Sequence, residues 1–279
     1  MNLPRKATGR AYIRDGLYYN PRFLLGSERD AILKWLKTIH PIWEERFSEH
    51  NPPPAGDEQR SLLRPVYWLG NWQFACLDYY HPPKGITNRC IEAEAYPLAL
   101  SPLVKKIELM TRKIYHPSDI PKGWQLNTCL INFYGSKIEK DGKKNDTARV
   151  GEHKDFEPGP VASLSLGERA MFQFTTGQAT GQNILLEQWL DDSSLQIFGG
   201  EKWKSRAFHR VQRVDKKEGY QFDLNVENFE TRRINFTFRY VPKEHIIPYR
   251  SLPPEQKADT LCYMENLSQY SPFFKKALS

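Results

Sequence analysis

The sequence predicts an α+β protein, with a double-sheet β core of the jelly-roll kind buttressed by helices from its N-terminal half. Three observations lead there. Beyond Gln125 the chain breaks into short apolar runs separated by turn residues, the pattern of a sandwich or barrel. Two segments ahead of it have helical spacing. Neither a repeat nor a linker composition divides the halves, and 279 residues at 39% hydrophobic are enough for one sizeable core.

The elements follow in order. After a basic tail, "SERDAILKWLKTIHPIWEERF" reads as a helix, with Ser27 as N-cap and Ile32, Leu33, Leu36, Ile39 and Trp43 as its stripe. The Pro-rich "EHNPPPAGDEQR" ends it. "RPVYWLGNWQFACLDYYHPPKGITNRC" is dense in aromatics and broken by Gly70 and Pro82-Pro83, as short strands and turns are. "SPLVKKIELMTRKIYH" is a second amphipathic helix. The predicted strands are "LNTCLINFY", "PVASLSLG", "AMFQFTT", "NILLEQWL", "SSLQIFG", "RAFHRVQRV" and "RRINFTFRYV". One domain over 1–242, with its core at about 125–242, accounts for this order. Residues 243–279 read as a C-terminal extension without a clear pattern, whose Tyr249, Tyr263, Tyr270, Phe273 and Phe274 suggest docking onto the body.

A net charge of +7, a pI near 9.1 and 13% aromatic residues suit an anionic partner with flat faces, such as nucleic acid; a lysine surplus that serves solubility is the plainer reading. Cys76, Cys90, Cys129 and Cys262 are widely spaced and form no C-x-x-C pair, so reduced thiols are expected. There is no N-terminal apolar segment and no run near the roughly 20 apolar residues that span a bilayer. The expectation is a soluble, cytoplasmic protein with no membrane partner.

Chemistry concentrates at "GEHKDFEPGP". Residues i and i+2 of a strand share a face, so His153 and Asp155 can aim into one cavity. They would supply two ligands of a 2-His-1-carboxylate triad, which holds non-haem Fe(II) and leaves positions open. A third ligand must come from another strand. Of the seven histidines, His40, His50, His81, His116 and His245 fall in helix or loop contexts, whereas His209 lies in the β-like "RAFHRVQRV". It reads either as that ligand or as a satisfied core histidine. In "RRINFTFRY", Ile234, Phe236, Phe238 and Tyr240 alternate with Arg233, Asn235, Thr237 and Arg239. The polar face is either solvated or lines a cavity whose arginines meet a dicarboxylate.

N-x-Y at Asn132 to Tyr134, H-x-D at His153 to Asp155, "SLSLG" at 163–167, "FH" at 208–209 and R-x-N-x-T-F-R from Arg233 to Arg239 occur in one order. That order resembles the AlkB family of Fe(II)- and 2-oxoglutarate-dependent dioxygenases, closely over about 120–240 and loosely from 10 to 120. The resemblance implies a double-stranded β-helix fold with His153, Asp155 and His209 as iron ligands and catalytic residues. It implies that 2-oxoglutarate is bound by Arg233 at its distal carboxylate and by Arg239 near its keto-acid end, with Asn132, Tyr134 and Asn235 as hydrogen-bond donors. Fe(II), 2-oxoglutarate and O2 are then the cofactor and cosubstrates, and a single-stranded DNA or RNA carrying N-alkylated bases is the expected partner.

The family's nucleotide-recognition lid would fall at about 64–96, making Tyr67, Trp68, Trp72, Tyr79 and Tyr80 candidates to face a base, although most such rings serve the core. Glu157 stands where family members carry a base-contacting carboxylate; a solvated loop acid is the alternative. The Lys-rich stretch at 136–150 reads as an inserted surface loop beside the mouth of the site, where it bears on substrate choice. Two other functions compete: an AlkB-like hydroxylase or demethylase of a protein or small molecule, and a non-catalytic β-barrel binding module. The complete set of His153, Asp155, His209, Arg233 and Arg239 counts against the module.

Overall fold

The computed structural model describes residues 10–78, 90–177, 183–212 and 219–279. Its longest strands carry the alternation seen in the sequence. The larger sheet runs β1 (Tyr12–Arg14), β2 (Leu17–Asn20), β12 (Ser194–Phe198), β9 (Val161–Gly167), β14 (Phe229–Arg239), β6 (Thr128–Ile138) and β3 (Val66–Leu69), with β7 (Lys144–Asp146) paired to β6. A smaller sheet of β11 (Ile184–Leu190), β10 (Ala170–Thr175), β13 (Phe208–Gln212) and β8 (Val150–His153) faces it. All pairings in both are antiparallel. A third sheet joins β15 (Ile246–Ile247), β5 (Cys90–Glu92) and β4 (Asn71–Trp72).

On one face of the larger sheet, Ile131, Phe133, Leu164, Leu166, Ile234, Phe236 and Phe238 meet α1 (Gly26–Leu36), α2 (Ser101–Ile114), α3 (Pro254–Tyr270) and α4 (Pro272–Leu278) in the main core. On its other face, Leu17, Tyr19, Val161 and Phe198 meet Phe172, Phe174, Leu186 and Leu190 of the smaller sheet in a second core. The apolar half of each alternating strand thus packs against helices, and part of the polar half is enclosed between the sheets.

Expectations for the first helix and for the 136–150 stretch are corrected. The first helix stops at Leu36 and does not run on to Phe47. Pro41 disfavours helical backbone at His40, the amide and hydroxyl of Thr38 both turn back to the Trp35 carbonyl, and Ile42 pairs with Val66. Ser27 lies inside that helix; Leu25 is its N-cap, and its amide donates to Glu28 Oε2 at 2.8 Å. The 136–150 stretch is mostly a hairpin, with Ser136 opposite Asp146. Buried Arg232 holds it in place, donating to Asp146 Oδ2 at 3.2 Å, Ser136 Oγ at 2.7 Å and Glu168 Oε2 at 3.3 Å. The C-terminal extension is two helices: Phe274 packs edge-on against Trp72 with ring centres 5.7 Å apart, and Tyr263 stacks on Phe74.

Arg232 owes its position to a bulge. Thr231 pairs with Gly135 and Arg233 with Tyr134, so Arg232 is the extra residue. Gly135 makes this possible, because a Cβ there would lie 1.8 Å from the Glu230 carbonyl oxygen. Among the described residues no helix is long and apolar enough to cross a membrane.

Candidate metal centre and its cavity

Strand register gathers the site. On the inner face of the larger sheet, Asn235 stands between Asn132 and Ser165, and Arg233 between Tyr134 and Gly167. In the smaller sheet His209 is directly opposite His153, with ring centres 4.3 Å apart. Asp155 follows as the chain leaves β8, its Oδ2 3.4 Å from His209 Nε2. One ligand atom from each of His153, Asp155 and His209 lies within 4.8 Å of the others. Phe172, stacked at 5.4 Å, and Phe198, at 5.2 Å, fix the plane of the His209 ring.

The donor set fits a divalent ion. His153 Nδ1 is 2.8 Å from the Gly151 carbonyl; a carbonyl only accepts, so this nitrogen carries the proton and Nε2 keeps its lone pair. Burial lowers the basicity of both imidazoles, and burial together with the neighbouring His153 takes His209 down to about 3. Both are therefore neutral, as ligands must be. Burial pushes the Asp155 carboxyl up, yet the cationic groups around it, Arg239 foremost, outweigh this and hold it below the usual carboxylate range. Arg239 grips Oδ1 through Nε at 2.8 Å and Nη2 at 2.6 Å, while buried Oδ2 has no hydrogen-bond partner among the described residues. Two neutral nitrogens and one bare anionic oxygen are what a ferrous site with open positions uses.

The other expected residues divide. Arg233 donates through Nη2 to Ser165 Oγ at 3.2 Å and sits 4.8 Å from the centre of the Tyr134 ring, but its buried Nε and Nη1 make no hydrogen bond among the described residues. Such nitrogens call for an anion. Asn235 is engaged within the sheet, its Nδ2 reaching Ser163, Leu164 and Ser165 and its Oδ1 accepting from Thr237. Arg239 is committed to Asp155. Glu157 is no solvated loop acid: it is 3% exposed, with Oε1 3.4 Å from Gln73 Nε2 and Oε2 3.5 Å from Arg239 Nε. Burial raises its proton affinity against the pull of Arg239.

Tyr67, Trp68 and Trp72 belong to the main core. Tyr67 donates to Glu94 at 2.6 Å and Trp72 to Glu44 at 2.7 Å, so these polar edges serve packing. Tyr79 and Tyr80 lie outside the described residues. Two residues at the site escaped sequence reasoning. Lys204, in a π-helical turn at Glu201–Arg206, donates to the Asp155 carbonyl. Arg64 donates from Nε to Asn132 Oδ1 at 2.6 Å and lies 5.2 Å from the centre of the Tyr134 ring. The only signal for Arg64 was its place at the head of a strand-like "RPVYWL".

A family model described as the 2OG-Fe(II) oxygenase superfamily matches residues 16–239. No curated protein matches the chain. Among solved structures it is similar to the structure of OsALKBH1, at 20% identity over 82% of this chain and 100% of that one, with a TM-score of 0.49. It is also similar to a candidate oxygenase from Shewanella oneidensis, at 12% identity over 91% of this chain and 90% of that one, with a TM-score of 0.40. Because the family match spans most of the chain and includes His153, Asp155, His209 and Arg233, the chain belongs to the 2OG-Fe(II) oxygenase superfamily and is a dioxygenase that uses Fe(II), 2-oxoglutarate and O2.

Proposed function

We propose that this dioxygenase removes alkyl groups from the nitrogens of nucleobases in single-stranded DNA or RNA. His153, Asp155 and His209 hold the iron, and Arg233, Tyr134 and Asn132 hold 2-oxoglutarate. With iron, 2-oxoglutarate and O2 bound, the site would supply hydroxylation of an N-methyl carbon, with succinate and CO2 as coproducts and formaldehyde released as the hydroxymethyl group leaves. The chain's own residues prepare this. Arg239 locks one oxygen of Asp155, the Gly151 carbonyl sets the His153 tautomer, and burial of Asp155, Arg233 and Arg239 keeps their charges from bulk water.

The observation that carries the substrate reading is Glu157. A buried carboxylate two residues after Asp155, with Oε2 making no hydrogen bond among the described residues, is an acceptor suited to the exocyclic amine of adenine or cytosine. The net charge of +7 favours a polyanion, and Phe156, 46% exposed between Asp155 and Glu157, offers an aromatic face in the same segment. A duplex would hide the target atom, so single strands are the economical substrate.

The test supplies Fe(II), 2-oxoglutarate and oxygen with single-stranded oligonucleotides bearing N1-methyladenine or N3-methylcytosine, and follows base mass and succinate together. Loss of a methyl mass with matching succinate is expected. Succinate without demethylation would retain the dioxygenase and move its substrate to a protein or small molecule.

A further inference from the structure

Two guanidinium groups converge on one tyrosine ring on the inner side of the larger sheet. Arg233 reaches Tyr134 from β14 and Arg64 reaches it from the residue pair preceding β3, with Cζ to ring-centre distances of 4.8 and 5.2 Å. Arg64 is 8% exposed and its backbone is pinned, since the next residue, Pro65, accepts from the Phe133 amide at 3.2 Å and Val66 pairs with Asn132. Both residues it touches, Asn132 and Tyr134, lie on the inner face of β6, so Arg64 reaches the same side of the sheet as Arg233.

The contact with Asn132 has a direction. A guanidinium only donates, so the Asn132 atom at 2.6 Å from Arg64 Nε must be the carbonyl oxygen, and the amide NH2 points elsewhere. Asn132 shares a strand face with Tyr134 and stands opposite Asn235, on the inner side of the sheet. Without Arg64 the amide could turn over and present its oxygen to a carboxylate, replacing attraction with repulsion.

We infer that Arg64 is a positioning residue for 2-oxoglutarate: it locks the Asn132 amide so that its NH2 group is available to the dianion. Resting on the cosubstrate placement proposed above, this deepens it by a residue outside the motifs and by a defined route of action, through Asn132.

The test uses the whole protein loaded with Mn(II), which binds without turnover, and titrates 2-oxoglutarate calorimetrically into wild type, Arg64→Gln, Arg64→Lys, Asn132→Ala, the Arg64→Gln/Asn132→Ala double variant and Arg233→Ala. A hydrogen bond to a charged group predicts about a tenfold loss of affinity for Arg64→Gln and for Asn132→Ala. The double variant should lose no more than the worse single one, because the two act as a unit. Arg64→Lys should recover part of the loss, and ligand-free melting temperatures should stay close to wild type. Unchanged affinity in Arg64→Gln, or losses that multiply in the double variant, would overturn the role of Arg64. If Arg233→Ala also leaves affinity unchanged, the cosubstrate placement itself falls; if Arg233→Ala alone weakens binding, only the role of Arg64 does.

Discussion

Asp155 divides its two oxygens between two tasks, one fixed by Arg239 and one left for a metal. Asp155→Ala is therefore expected to abolish succinate formation and the rise in melting temperature that Fe(II) gives the wild type, since a ligand stabilises only a fold that binds it. The apoprotein should remain folded, because Arg239 can turn to Glu157, already 3.5 Å away; full activity would remove Asp155 from the triad. Arg233→Ala should raise the 2-oxoglutarate concentration needed for half-maximal rate by about a hundredfold, as removing one partner of a buried charge pair costs about 2–5 kcal/mol. A steady-state titration reads this directly. At this scale the sequence was informative where period and chemistry coincide. His153 and Asp155 alternate, Arg233 and Arg239 fall on the polar side of an alternating strand, and His209 is the one other histidine in a β-like run of the sequence. Arg64 was invisible because its role depends on a contact with Asn132, 68 positions away. Trp68 and Trp72 left two roles open for the opposite reason: an aromatic ring reads the same in sequence whether it stacks on a base or fills a core, and here both fill the core.

Elements were legible in proportion to their alternation. The seven predicted strands all appear, and β14 even carries the bulge that separates Arg232, bound into the acid cluster, from Arg233 in the cavity. Helix ends were less legible, since the turn after Leu36 depends on Thr38 and on a bridge to Val66 that no local pattern announces. Helices α3 and α4 were missed because their apolar contacts are few per turn: Thr260, Met264 and Leu267 are the buried positions of seventeen residues in α3. Their anchor is Phe274, fully buried against Trp72. Phe274→Ala should cost about 3–5 kcal/mol, read as a lower urea midpoint. A change within experimental error would show that the C-terminal helices are not part of the cooperative unit.

For the molecule as a whole, the pH profile of stability contains a group outside the active site. Glu44 is buried against Trp72 and the Ala75 amide, and burial raises its carboxyl from 4.5 to about 7 against those hydrogen bonds. The folded protein thus binds a proton between those values that the unfolded chain has released, so the contribution is complete below about 4.5 and is lost as pH rises through about 7. It amounts to roughly 3–4 kcal/mol, at about 1.36 kcal/mol per unit. Buried His209 acts in the opposite sense, with its folded value down at about 3, costing stability as pH falls below 6.5. Urea midpoints of wild type and Glu44→Gln between pH 5 and 8 separate the two: the wild-type midpoint should rise at low pH relative to the variant's, and parallel curves would show that Glu44 does not titrate there.

The two sheets meet at the cavity with the imidazoles on one and the arginines on the other. A loaded cavity consequently acts as a rivet across a seam, coupling fluctuations that are otherwise local to each sheet. Amide hydrogen exchange in β8 and β13 should slow together with that in β14 once metal and 2-oxoglutarate are both present, and metal alone should quiet only the smaller sheet.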